Sequence, residues 1–165
     1  MNKRIRQYAG LLSAIISYYV IHEGAHFLYA LYKGTFKGFK FMGLGMQVEI
    51  YSERMSEAEL GVFCLVGSLF ALLSAYILAA LAGKICDLRS KVIRACAYYV
   101  TIALLFIDPL YLSILCGFFG GGDMNGISLL VPQIAARIIY ALVFAVNIFV
   151  FIKLVLPKYT LSFKK

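Results

Sequence analysis

The sequence predicts an all-α integral membrane bundle of about four transmembrane helices, with a β-hairpin between the first and second spans. The chain is 62% hydrophobic and only 15% charged, whereas soluble domains carry about 25% charged residues. Several apolar runs approach the roughly 20 residues that a helix needs to cross a bilayer. Apolar and polar residues then alternate on both sides of a Gly-Leu-Gly turn, as in a hairpin.

The composition argues against two other classes of protein. The net charge of +8 comes from basic residues at the ends of the apolar runs and in short loops, which is typical of a chain facing anionic lipid. The expected partner is therefore a lipid bilayer and not nucleic acid. Four scattered cysteines without CxxC spacing predict neither a disulfide framework nor a thiolate zinc site.

The apolar runs predict one membrane domain over residues 1–165, with four spans. The first run follows a basic segment, but it is longer than the apolar part of a signal peptide. No clear cleavage site precedes His22, so we interpret the run as a retained span. Pro157 is expected to end the fourth span, because proline cannot continue a regular helix. The predicted spans are residues 7–32, 59–82, 92–116 and 134–156.

Two connections carry further information. The hairpin is predicted over residues 35–51, and it is either an ordinary surface hairpin or one that dips into the membrane and lines a cavity. The segment from Cys116 to Gln133 contains three consecutive glycines before Asp123. Glycine permits tight turns, so a broken or partly re-entrant segment is expected here.

The first span contains both histidines of the chain, His22 and His26, in an H-E-x-x-H motif. On a helix the two imidazoles lie one turn apart on one face and can share a zinc ion, while Glu23 can act as general base on a zinc-activated water. Because an ionised group near mid-bilayer costs about 3 kcal/mol, the motif predicts a metal site. The alternative is a structural cluster in which these groups hydrogen-bond to one another.

Catalytic zinc usually has a third protein ligand and one open position. The candidates are Asp108, Asp123 and, more weakly, Glu49. His22 lies about 15 Å from the end of the first span, and Asp108 about 12 Å from the matching end of the third. Asp123 reaches that depth only if the glycine segment folds back, so geometry leaves the choice open. Asp108-Pro109 also fits a simple helix kink with a paired carboxylate.

With these features the chain resembles the intramembrane site-2 protease family, particularly its short bacterial and archaeal members. The H-E-x-x-H motif lies in an early span and the hairpin follows it. "LVGSLFALLSAY" resembles the family's second-span Gly-Pro-x-x-Asn pattern, and Gly122-Asp123 with Gly126 resembles its Asp-Gly ligand motif. The chain departs from the family at Ser68 and Ala71, in the Met-Asn after Asp123, and in lacking an Asn-Pro run.

The resemblance covers residues 13–126 and implies a zinc-dependent endopeptidase that cuts a peptide bond in or near a transmembrane segment of a membrane protein. It implies Zn²⁺ ligation by His22, His26 and Asp123, with Glu23 as general base. Under this assignment Asp108 accepts a hydrogen bond from a metal-bound histidine, or it is the third ligand in place of Asp123. Asn125 or an N–H of residues 120–122 is a candidate oxyanion donor. The implied location is the prokaryotic cell membrane, with a homo-oligomer or an accessory membrane protein left open.

Two other functions are alternatives to a protease. A non-catalytic zinc-binding membrane scaffold or regulator would not need Glu23. A small metal transporter would need a polar pathway across the membrane, but only one polar cluster is visible in the sequence.

The distribution of basic residues predicts the orientation in the membrane. Eleven basic residues fall on the side of the termini and four on the opposite side, which predicts cytoplasmic termini and a site that opens outward. The better-known family members open toward the cytosol.

Overall fold

The structure is a computed structural model that describes residues 3–42, 45–118 and 120–164. Most of these residues are helical, and a two-stranded antiparallel hairpin follows the first helix, so the predicted helical bundle with a hairpin is confirmed. The elements are α1 (Lys3–Lys33), β1 (Phe36–Met42), β2 (Gly45–Ile50), α2 (Glu57–Cys86), α3 (Lys91–Ser113), α4 (Asp123–Ile127), α5 (Gln133–Val150) and α6 (Leu156–Lys164).

Among the described residues, three helices are long and apolar enough to cross a membrane. They are α2, α3 and the continuous helix Gln133–Lys164, which contains α5 and α6. The 31-residue α1 is long enough but is not one of the three. Its basic ends, its tyrosines and the H-E-x-x-H motif make it more polar than α2, α3 and α5.

The last helix does not end at Pro157, contrary to the prediction. It passes through a π-helical turn at Phe151–Val155 and continues as α6 to Lys164. In that turn the Leu156 N–H donates to the carbonyl of Phe151, five residues earlier. The wider turn just before Pro157 makes room for the proline ring and its missing N–H, which a regular α-helical turn does not provide.

The hairpin packs against α1 beside the H-E-x-x-H motif. Phe39 of β1 lies opposite Val48 of β2, while residues 43–44 of the predicted turn lie outside the described residues. The Phe27 ring of α1 lies 5.0 Å from the ring of Phe36 and 5.3 Å from that of Phe39, measured between ring centroids. This aromatic cluster fixes β1 on α1 and so places β2 next to the motif.

Small residues bring the helices close together around α2. α1 packs against both α2 and α3, α4 packs against α2, and α5 packs against α3. A Cβ at Gly61 of α2 would stand 3.1 Å from the carbonyl oxygen of Gly126 in α4. A Cβ at Gly126 would stand 2.7 Å from the Cβ of Cys64. The position of α4, and of Asp123 at its start, therefore depends on the lack of side chains at this contact.

This contact gives a stability prediction. Gly126→Ala should destabilise the protein by roughly 1–3 kcal/mol, because the added methyl has no space against Cys64 and the Leu60 carbonyl. Gly83→Ala is the matched control, since Gly83 is also helical but a Cβ there would meet no neighbouring atom within 4 Å, and alanine should stabilise by about 0.5–1 kcal/mol. Thermal unfolding in detergent measures both; equal midpoints for the two variants would contradict the tight contact.

Candidate metal centre

The two histidines of α1 are buried and are each held through Nδ1. The Nδ1–H of His22 donates to Asp108 Oδ2 at 3.2 Å, and that of His26 donates to the Phe63 carbonyl at 2.7 Å. A carbonyl oxygen and a carboxylate oxygen only accept, so Nδ1 carries the hydrogen and, in the neutral imidazole, Nε2 carries a lone pair. Both Nε2 lone pairs consequently face the same space.

Asp123 completes a triangle of ligand atoms with the two histidines. Its Oδ2 lies 3.1 Å from His22 Nε2 and 3.5 Å from His26 Nε2, and the two nitrogens are 3.2 Å apart. Four ligands about 2.05 Å from a tetrahedral zinc ion stand about 3.3 Å from one another. The three atoms therefore match three corners of a zinc tetrahedron, and the group could hold a metal ion.

The chemistry of the donors also fits a cation. With both Nδ1 atoms donating elsewhere, His22 Nε2, His26 Nε2 and Asp123 Oδ2 are three acceptors that face one another and repel. A hydrogen-bonded cluster would need an added proton on an imidazole, whereas one metal ion uses all three lone pairs together. Two imidazoles and one carboxylate form a donor set that suits zinc.

Glycines turn the chain so that Asp123 faces the histidines. Gly120 and Gly122 have φ of +82° and +44°, in the left-handed region that favours glycine. The Tyr111 hydroxyl of α3 donates to the Gly120 carbonyl at 2.7 Å and holds this segment against α3. α4 then begins at Asp123. This is the fold-back that Asp123 requires, and Phe119 within it lies outside the described residues.

Asp108 lies on the opposite side of the His22 ring from Asp123. Its Oδ2 accepts from His22 Nδ1, and its Oδ1 accepts from the Tyr18 hydroxyl at 2.5 Å. Asp108 thus orients His22 as an outer partner. Glu49, the weaker ligand candidate, pairs with Gly38 in the hairpin and is not a member of the metal group.

Glu23 and the metal group share one cavity of about 700 Å³. The Val48 N–H donates to Glu23 Oε2 at 3.0 Å, so β2 turns one edge toward this cavity, and residues 45–48 line it. The hairpin therefore lines a cavity, which is one of the two features of the predicted membrane-dipping hairpin. Of the predicted oxyanion donors, Gly122 lines the cavity, whereas the Asn125 side chain is exposed outside it.

Sequence reasoning missed three contributors to the site. Tyr18 lies one turn before His22 on the same helical face, a spacing that could have identified it. Phe63 acts through its main-chain carbonyl, which its side chain does not reveal. Gly67 of α2 lies so close that a Cβ there would stand 2.8 Å from His22 Nε2, and it would also clash with His26.

Comparison of the chain with protein-family models, curated proteins and solved structures finds no match. The function is therefore inferred from the geometry of the described residues. The strongest feature in that geometry is the group formed by His22, His26 and Asp123.

The approach of α2 to the histidines gives a metal-binding prediction. Gly67→Ala should abolish or strongly weaken zinc binding, because its methyl group would occupy space beside both Nε2 atoms. Gly24→Ala is the matched control inside the H-E-x-x-H motif, since a Cβ there would meet no atom within 4 Å beyond its own stretch of helix. Zinc content of the detergent-purified variants measures both. Wild-type zinc content in Gly67→Ala would contradict the close approach.

The opposite positions of the two aspartates give a second metal-binding prediction. Asp123→Ala should fall far below the roughly one zinc per chain expected of the wild type, because it removes a ligand. Asp108→Ala should still fill at high zinc concentration but bind about 10- to 100-fold more weakly, as is typical when the outer partner of a metal-bound histidine is lost. Glu49→Ala serves as a control with unchanged binding.

Elemental analysis and zinc titration against a chelator distinguish these outcomes. Loss of zinc in Asp108→Ala together with full zinc content in Asp123→Ala would exchange the roles of the two aspartates. A wild type without zinc, purified under conditions that spare metal, would favour the hydrogen-bonded cluster.

Proposed function

We propose that this chain is an intramembrane zinc-dependent endopeptidase of the site-2 protease type, which cuts a peptide bond in or near a transmembrane segment of a membrane protein. One observation carries the proposal. His22, His26 and Asp123 form a three-ligand group with tetrahedral spacing, and Glu23 lies in the same cavity although the ligand set does not need it. Three ligands, an open position and a nearby carboxylate are typical of zinc peptidases.

The proposal includes a fourth membrane crossing by α1. At 31 residues this helix is about 46 Å long, more than the thickness of a hydrocarbon core. A stripe of apolar side chains one turn apart faces outward, with Leu12 60%, Ile16 53% and Val20 64% exposed. The two histidines face inward and are buried. Lipid against the stripe would satisfy this pattern, because intramembrane ionisable groups face the bundle interior.

The chain's own residues have defined parts in the proposed reaction. Bound zinc would supply a Lewis acid that activates water and polarises the scissile carbonyl. Asp108 and the Phe63 carbonyl keep the Nδ1 atoms of the two histidines occupied, so the Nε2 atoms stay available as ligands. Glu23 takes the proton from the attacking water and delivers it to the leaving amine.

The proposed substrate segment is extended and adds to the outer edge of β2. A peptide bond inside a helix is shielded, so the segment must unwind before it is cut. The N–H of Val48 points away from β1 toward the cavity, where an added strand could use it. That N–H now donates to Glu23, so an arriving strand would compete with Glu23 for it. Strand addition would thereby release the carboxylate for its role as base.

A non-catalytic zinc-binding membrane scaffold or regulator is the second candidate function. The hydrogen bond from Val48 to Glu23 favours it, because it gives the carboxylate a structural use in holding the hairpin on α1. In that case zinc would stabilise the bundle, and Glu23 would contribute nothing to chemistry. The two candidates differ in what happens when Glu23 loses its charge and keeps its shape.

Glu23→Gln tests the proposed function. Glutamine can still accept the hydrogen bond from Val48, so zinc content and thermal stability should equal those of the wild type. Proteolysis should fall about 10²- to 10⁴-fold, because the amide cannot take a proton from water. Mass spectrometry of new protein termini in membranes from cells that express either form measures the difference.

Asp123→Ala provides the zinc-free control in the same experiment. Termini found with the wild type but with neither variant are the expected result. If the zinc-loaded wild type and Glu23→Gln yield identical termini, the protease proposal fails and the scaffold is favoured.

A further inference from the structure

Pro109 interrupts the hydrogen bonding of α3 immediately after Asp108. It lies inside the helix and has no N–H, so the carbonyl of Leu105, four residues earlier, loses its helical donor. The proline ring also pushes that carbonyl away from its regular position. Leu105 is fully buried, and a buried carbonyl requires a partner. In this structure the donor comes from another helix.

Asn147 of α5 provides the donor. Its Nδ2 donates to the Leu105 carbonyl at 2.5 Å, and its Oδ1 accepts from the Tyr76 hydroxyl of α2 at 2.6 Å. Because the carbonyl only accepts and the carboxamide oxygen cannot donate, these two partners determine the orientation of the amide. Asn147 is completely buried within an otherwise apolar helical stretch. Both polar atoms of its side chain are thus hydrogen-bonded, one of them at the interruption of α3.

We propose that Asn147, held by Tyr76, is a positioning residue for the metal centre. By bonding the carbonyl displaced by Pro109, it sets the local course of α3 and with it the position of Asp108. Asp108 in turn holds His22 at Nδ1. This inference rests on the metal centre of the proposed function, and Asn147 itself touches none of the three ligands in the described hydrogen bonds.

Because Asp108 of α3 holds the His22 ring, a displacement of α3 would change the position of a metal ligand. Zinc–ligand distances vary by only about 0.2 Å, so a small displacement of α3 would move Asp108 and tilt the imidazole away from its place. Tyr18 on α1 holds the second oxygen of Asp108, but it cannot compensate for a shift of the α3 backbone. Three helices besides α1 therefore contribute to one coordination geometry: α2 through Tyr76, α5 through Asn147 and α3 through Asp108.

Zinc affinity of the full-length protein in detergent, measured by competition with a chelator, tests the inference without any substrate. Asn147→Leu keeps the size but removes both hydrogen bonds, and about tenfold weaker binding is expected, the low end for outer partners of a metal-bound histidine. Tyr76→Phe leaves the bond to Leu105 and should weaken binding about threefold, through one neutral hydrogen bond. Thr101→Val removes a fully buried hydroxyl of α3 that donates to the Ala97 carbonyl, and should leave the affinity unchanged.

A double-variant cycle separates positioning from a general loss of stability. If Asn147 acts through Asp108, Asn147→Leu should add little to the loss already caused by Asp108→Asn. If it acts only on overall stability, the two fold-losses should multiply. Multiplying losses, or wild-type affinity in Asn147→Leu, would overturn the inference. Should Asn147→Leu not fold, Tyr76→Phe decides: weaker binding supports positioning and unchanged binding rejects it.

Failure of this inference is distinguishable from failure of the proposed function. A wild type that binds zinc while Asn147→Leu binds it equally well rejects the positioning role alone. A wild type that binds zinc and cuts no protein rejects the protease and leaves the positioning role to be supported by the affinities. A wild type that binds no zinc rejects both.

Discussion

The site depends on two hydrogen bonds that occupy the Nδ1 atoms of buried imidazoles. The acceptors belong to different helices, Phe63 of α2 and Asp108 of α3, while both rings belong to α1. The packing of α1 against its two neighbours therefore decides where the Nε2 lone pairs point. Gly67 lets α2 approach closely enough for this arrangement. A change in the packing of any of the three helices would disperse the ligand group.

The polar side chains around the site and at the interruption of α3 occur in connected networks and use one another as partners. Asp108 accepts from both Tyr18 and His22, and Asn147 bonds with Tyr76 and the Leu105 carbonyl. A polar group without a partner is costly where water is excluded, so such networks are highly constrained. Glu23 is different, because its partner is the backbone N–H of Val48 on the outer edge of β2, where we propose that substrate binds. In the proposed reaction it is the ionisable group best suited to change partners.

Local pattern was sufficient to predict much of the fold. Apolar runs predicted the long helices, and period-two alternation predicted the hairpin, because both depend on neighbouring residues in the chain. The prediction that Pro157 ends the last helix was wrong, since a π-helical turn absorbs the proline. Tyr76 and Asn147 lie 71 residues apart, and no local pattern connects them. The acceptor at Phe63 could not be predicted either, because it is a main-chain carbonyl, which every residue type carries.

The sequence by itself determined that His22, Glu23 and His26 occupy one turn of a helix, because the spacing of the motif and the helical period are local properties. It left Asp108 and Asp123 as alternative ligands, since helix length places Asp108 at a suitable depth and Asp123 reaches that depth only if the glycine segment folds back. Only the tertiary structure separated them. The glycine turn brings Asp123 to the Nε2 atoms, and the packing of α3 on α1 brings Asp108 to Nδ1. The two aspartates contact opposite nitrogens of the same imidazole ring, an arrangement set by how helices pack and not by residue spacing.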